Sequence, residues 1–233
     1  MIIGISGHKQ SGKNTVALIW QLLVFEASPR YKEIVGTKYA TDVEYVTACI
    51  KGEEEWAPYS HYFTWKQKSF AYKLKQVVCT LTGCTMEQLE KEEFKNSDVP
   101  YTWTKSALEI STYRELMQKL GTEVFRKTVH ERIWIDLLMN QYDKAVMDGK
   151  PEDWLITDVR FKDEADSVNG RSGTLIRVHK NTDIKENHQS ELDLDDYPWF
   201  QYELDNNGTI EELVVQVRDV ACLFFLLYAN LLI

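Results

Sequence analysis

The chain has 233 residues and a formal net charge of −9, with 44% hydrophobic and 27% charged residues. This length suits one α/β core with an insertion, and the composition is that of an ordinary folded protein, so disorder is excluded as the starting expectation. The acidic balance argues against a broad electrostatic grip on nucleic acid or an anionic membrane, neither of which is expected as a partner; any phosphate must be held locally. Cys49, Cys79, Cys84 and Cys222 form no C-x-x-C pair, which points to reduced cytosolic thiols rather than a zinc site. No basic leader precedes the first apolar run, so a cytoplasmic location is expected.

In chain order, residues 1–6 form a short β-branched apolar run bounded by Gly7, the pattern of a fully buried strand in a parallel sheet. A helix follows Gly12, with Val16, Ile19, Leu22 and Leu23 at helical spacing. Residues 27–66 are rich in aromatic and acidic side chains with no clean period, and read as an irregular region. Ser69-Phe70-Ala71 reads as the end of a second strand, and residues 73–81 as a helix stopped by Gly83. Thr112 and Glu115 have the spacing of a capping box, opening a helix that Gly121 is expected to end. Further helical turns run through Arg126 and over about 131–147, which places Ile133, Trp134, Leu137 and Leu138 largely on one side.

After residue 150 the pattern returns to α/β. Residues 154–157 (WLIT) form a strand ending at Asp158, 161–168 a short helix, 174–178 a strand and 202–204 a further strand. A last helix is capped by Thr209 with Glu212. The tail VACLFFLLYANLLI, residues 220–233, is shorter than the roughly 18 to 20 residues that cross a bilayer. It reads as a buried final helix or a homodimer contact rather than an anchor. Strands alternating with helices imply a doubly wound parallel sheet, with ligands at the carboxyl ends of the strands.

The segment GHKQSGKNT, residues 7–15, has phosphate-loop spacing between a strand and a helix. Backbone N–H groups of Gly7, His8, Lys9, Gln10, Ser11 and Gly12 would face phosphate oxygens, aided by the helix N-terminus and by Lys13. Asn14 stands where a metal-binding hydroxyl is usual, while Thr15 keeps a donor one step on. Mg²⁺ would then be held mainly through phosphates and water, with Asn14 or Asp158 as the protein oxygen. Asp158 and Arg160 follow a strand at the edge where phosphates lie, fitting roles in ordering the reactants and neutralising charge. The bland reading of Arg160 is a surface ion pair with Asp163 or Glu164.

GHKQSGKNT, Leu74-Lys75, YRELMQKLGTEVFR (113–126), Ile133-Trp134, DVRFKDE (158–164), LIRV (175–178), HQSE (188–191) and NNGTIEEL (206–213), taken in order, resemble the bacteriophage deoxynucleoside monophosphate kinase family. The resemblance leaves residues 27–66 and the apolar tail uncovered, and Asn14 stands where that family usually carries Asp. It implies a single P-loop kinase domain with a three-layer parallel sheet, whose core spans about 1–26, 67–84, 151–180 and 200–233. A mostly helical substrate-binding insertion would occupy about 85–150, and a lid about 180–196.

The implied reaction is phosphoryl transfer from ATP to a deoxynucleoside monophosphate, in a host cell's cytoplasm. By the same resemblance, Lys75, Arg114 and Arg126 are candidates for the acceptor phosphate, Gln118 for a base edge and Trp134 for stacking on the base, a place in the core being the equal alternative for Trp134. Arg177, on the strand leading to His188, would reach phosphates as lid arginines do in related kinases, while His188 anchors the lid. The rivals are another small-molecule kinase, such as one acting on dephospho-coenzyme A, and a non-catalytic nucleotide-binding regulator. An ATP-driven nucleic-acid motor fits poorly with the acidic balance.

Overall fold

Strand β1 (Ile2–Ser6) is buried at every residue, which a strand achieves only with neighbours on both edges and cover on both faces. In the computed structural model it is the central strand of a five-stranded sheet, with β2 (Trp65–Lys68), β3 (Asp153–Val159), β4 (Thr174–His179) and β5 (Tyr202–Asp205). Their order is β2-β3-β1-β4-β5, and every pairing is parallel. The described residues are 1–36, 38–104, 110–181 and 192–229.

The α/β expectation holds, and β1 shows why helices cover both faces. Ile3 and Ile5 enter a core with helix α1 (Lys13–Glu26) and the final helix (Ile210–Ala229). Gly4 points the other way, where an added Cβ would lie 2.7 Å from Leu175 and 3.4 Å from Val168. Burying each such isoleucine contributes roughly 1.5–3 kcal/mol. Trp20 of α1 meets Trp65 and Phe224 edge-to-face, each at 5.4 Å, so strand, helix and tail share one aromatic cluster.

The chain divides into two compact units, Met1–Lys68 with Lys150–Ile233 and Ser69–Gly149. In the first, residues 27–66 depart from the irregular expectation. Helices α2 (Pro29–Ile34) and α3 (Asp42–Lys51) and a 3₁₀ turn (Ala57–Tyr62) precede β2. Thr41 caps α3 by accepting from the Glu44 N–H at 3.2 Å, and Gly52 closes it in a left-handed conformation. The aromatics interlock with one another, Tyr31 on Tyr45 at 4.8 Å and Tyr59 stacked near Phe25 at 6.0 Å, which hides a simple helical period. The second strand is Trp65–Lys68, ending before Ser69.

The final helix buries Leu213, Val214, Val217, Val220, Ala221 and Phe224 and leaves Leu223 and Leu226 exposed. No helix among the described residues is long and apolar enough to cross a membrane.

The second unit holds α4 (Tyr72–Thr82), α5 (Met86–Glu90), α6 (Glu92–Lys95), α7 (Tyr101–Thr104), α8 (Tyr113–Gln118) and α9 (Ile133–Met147). Its start at Ser69 includes α4, which packs on α8 and α9. The capping box at α8 forms, Thr112 Oγ1 accepting from Glu115 N and Glu115 Oε2 accepting from Thr112 N.

Gly121 does not end this helix. The chain continues as a wide π-helical segment (Lys119–Val129), and Gly121 is a point of close approach. An added Cβ there would lie 2.8 Å from Leu74 Cδ2, while the Gly121 carbonyl accepts from Trp134 Nε1 at 3.0 Å. On α9, Trp134, Ile135, Leu138 and Met139 are buried but Leu137 is exposed, so the apolar face is turned from the expected one.

Candidate active site

The loop after β1 is shaped by two glycines that nothing larger could replace. At Gly7 an added Cβ would sit 2.5 Å from both Ser11 Oγ and the Val178 carbonyl. Gly12, at φ 96°, is the N-cap of α1, and its Cβ would lie 2.4 Å from Asn206 Nδ2. Gln10 takes a left-handed φ of 61°, uncommon for a residue with a side chain, and the Ser11 N–H closes a turn on the His8 carbonyl at 3.1 Å. Lys13 Nζ donates to the carbonyls of Gly7 and His8 at 2.6 and 2.7 Å, holding an ammonium over the loop. Ser11 Oγ is wholly buried with no hydrogen-bond partner, a polar atom in need of a ligand or a water. Asn14 is exposed on the first turn of α1 and Thr15 is half-buried.

Three residues that sequence reasoning passed over brace this loop. Asn206 is 8% exposed and donates its Nδ2 to the Ser11 carbonyl at 2.8 Å. Ser6 pairs in register with Arg177 of β4 and accepts from Arg177 Nη1 at 3.0 Å. Asp195 accepts from Arg177 Nη2 at 2.6 Å and lies 3.2 Å from His8 Nε2, tying a strand to the loop through one carboxylate. Arg177, on strand β4 as expected, is an interior residue, 7% exposed. Its guanidinium also lies 5.6 Å from the centre of the Phe200 ring. None of these long-range pairings has a sequence signature. Asn206-Asn207 reads only as a turn, and Asp195 as part of a polar stretch. Most of the expected lid, including His188, lies outside the described residues.

On the other side of β1, Ser6 is in register with Val159. That register sets Asp158 and Arg160, both half-buried, at the carboxyl end of β3 beside the loop. Glu164, 4% exposed, accepts the backbone N–H groups of Arg160 and Phe161 at 2.8 and 3.2 Å, fixing the turn that presents them.

The other candidates lie in the helical unit. Lys75 of α4 pairs with Glu90 at 2.6 Å. Arg114 of α8 donates Nη2 to Glu92 at 2.6 Å and Nε to Asn96 at 2.9 Å. Glu90 and Glu92 flank the junction of α5 and α6, so one short stretch holds both cations. Gln118 and Arg126 are half-buried. Trp134 is 6% exposed, its N–H satisfied by Gly121 and its ring edge-to-face with Phe125 at 5.2 Å, so it packs the unit. Among the described residues no group of His, Cys, Asp and Glu could by itself hold a metal ion.

A parallel sheet whose central strand runs into a tight glycine-bounded loop, a lysine and a helix N-terminus defines a phosphate-loop nucleotide-binding protein. The sequence pattern of the deoxynucleotide monophosphate kinase family matches residues 61–217. A protein of Acanthamoeba polyphaga mimivirus described as a deoxynucleotide monophosphate kinase is 28% identical over 167 residues, covering 65% of this chain and 80% of that protein. The deoxynucleoside-5'-monophosphate kinase of Escherichia phage T5 is 26% identical over 203 residues, covering 79% of this chain and 74% of that protein. The chain belongs to the deoxynucleotide monophosphate kinase family, a family of nucleotide-using phosphotransferases. The family match begins beyond residues 7–15.

Proposed function

We propose that ATP binds with its phosphates on residues 7–15 and that a deoxynucleoside monophosphate receives the γ-phosphoryl group. The observation that carries this reading is the loop itself, where Gly7 and Gly12 let Ser11, the Val178 carbonyl and Asn206 close in on a tight turn, Lys13 holds a cation over it and Ser11 Oγ lacks a partner. The acceptor is already an anionic phosphate, so no general base is required, and positioning with charge neutralisation supplies the rate. Lys13 and Arg160 offset charge on the transferring group, and Thr15 donates to the ATP phosphates. Lys75, Arg114 and Arg126 take the acceptor phosphate, which displaces the glutamates that pair with Lys75 and Arg114. Gln118 reads the base.

Arg177 acts from inside, holding Ser6 and Asp195 and through them His8. Mg²⁺, when bound, would supply neutralisation of the phosphate charge; Asn14 or Asp158 would offer the protein oxygen, and phosphates and water would hold the rest. Such an enzyme works in the cytoplasm. Leu223 and Leu226 give the final helix the face for a homodimer, which sedimentation velocity would detect.

The test is a coupled ADP assay with a panel of deoxynucleoside monophosphates. ADP formation is expected to depend on the added monophosphate and to fall by about 10³-fold in Lys13→Ala. ATP turnover indifferent to any monophosphate, or unchanged in Lys13→Ala, would overturn the reading.

A further inference from the structure

The four cysteines are all free thiols, yet two of them meet: Cys79 Sγ and Cys84 Sγ lie 3.9 Å apart in the helical unit. The way α4 ends explains the contact. Gly83, in a left-handed conformation at φ 78°, donates its N–H to the Cys79 carbonyl at 2.8 Å. This kind of helix stop folds the residue after the glycine back over the last turn, where an apolar pair commonly fills the contact. Here both positions carry sulfur. Both side chains are half-buried, so small reagents can reach them, and Thr82 Oγ1, which donates to the Val78 carbonyl at 2.8 Å, lies 3.2 Å from Cys84 Sγ. Nothing lies within 4 Å of the Cβ position at Gly83, which leaves the stop room to adjust.

Burial, then the neighbouring Cys84, also push the Cys79 thiol up, but its half-buried position keeps it within reach of a reagent, and among the described residues the other two thiols lack a sulfur neighbour. Cys49 is 2% exposed, and burial pushes its thiol up to about 11, which withholds the reactive thiolate. Cys222 is exposed on the final helix and meets no other sulfur among the described residues.

We propose that Cys79 and Cys84 are an oxidisable dithiol, a reversible modification site that closes to an intramolecular disulfide by exchange with a small-molecule disulfide of the glutathione type. One thiolate attacks a sulfur of the reagent; that S–S bond breaks and the expelled thiolate takes up a proton. The second cysteine then attacks the protein sulfur of the mixed disulfide, forming the Cys79–Cys84 bond and expelling the other reagent thiolate. The protein loses two protons and two electrons, and the reagent leaves as two thiols. The product is a covalent clasp across the C-terminal end of α4, the helix that carries Lys75. The proposal is independent of the role assigned to Lys75.

The experiment treats the full chain with oxidised glutathione, blocks remaining thiols by alkylation and maps the peptides by mass. The expected result is a Cys79–Cys84 linkage about 2 Da lighter than the dithiol, restored by dithiothreitol. A glutathione adduct accumulates on Cys222, and on Cys84 in Cys79→Ser, where closure is blocked. Titration against a glutathione redox series should give the native pair an effective concentration at least tenfold above that in urea, because the helix stop holds the sulfurs together. Stable glutathione adducts on both cysteines, alkylatable Cys79 and Cys84 beside a reacted Cys222, or equal effective concentrations with and without urea would each overturn the proposal.

Discussion

Asp195 shows how one carboxylate can organise a phosphate loop without touching phosphate. Its Oδ1 serves both Arg177, whose side chain is 8% exposed, and His8 on the loop. Replacing it by Asn keeps the shape and removes the charge, leaving a buried guanidinium without its anion. Asp195→Asn should cost about 1–2 kcal/mol in urea denaturation, discounted because Asp195 is itself partly exposed. It should also raise KM for ATP more than KM for the monophosphate. Equal changes in both constants would make the contact merely structural. Asn206 gives a sharper contrast, because its Nδ2 donates to the Ser11 carbonyl from a buried position. Asn206→Ala should lose about 1–2 kcal/mol. Asn206→Asp should be worse still, since a carboxylate can only accept and would face a carbonyl oxygen. A stable Asn206→Asp enzyme with unchanged KM for ATP would remove the brace from the account.

At the scale of elements, the helical unit turns on the meeting of α4, the π-helical segment and α9 at Gly121. Leu74 packs where a Cβ would be, and Trp134 donates to the carbonyl. Trp134→Phe keeps a six-membered ring but loses the donor and the five-membered ring beside it, so stability should fall by about 1–3 kcal/mol with KM for the monophosphate unchanged. A selective rise in that KM, with stability intact, would mean that the indole stacks on the base. This corner also marks how far the sequence could be read. The capping boxes at Thr112 and Thr209 are local patterns, and both form. The strand, glycine loop and helix at the N-terminus are local too. Gly121 misled because glycine serves equally for a helix stop and for a close approach, and only the position of Leu74 tells them apart. Asn206 and Asp195 were illegible for the same reason, their partners being far away in sequence.

For the molecule as a whole, residues 27–66 were the largest blank in the sequence, and they set how it responds to alkali. Tyr31, on α2, packs against Phe25 and Tyr45; burial, then the nearby Glu26 and Cys49, push its hydroxyl up to about 12. Tyr45 is pushed up further, and burial takes the Cys49 thiol up to about 11. Tyr197 also reaches about 12, first through burial and then by donating to Asp166 at 2.7 Å. Each of these groups holds its proton more tightly in the folded chain than in the unfolded one. Their contribution to stability is therefore complete below about pH 9, declines as the pH rises past the unfolded values near 9 to 10, and is lost as the pH passes the folded values, about 11 for Cys49, about 12 for Tyr31 and Tyr197 and higher for Tyr45. The urea midpoint should accordingly drop between about pH 10 and 12, with tyrosinate absorbance appearing alongside the loss of structure rather than before it. Tyr31→Phe, which has no proton to lose there, should show a shallower decline than the parent chain. Parallel declines in the two proteins would show that the α2–α3 layer opens before Tyr31 ionises, and that the buried aromatics are not what alkali titrates.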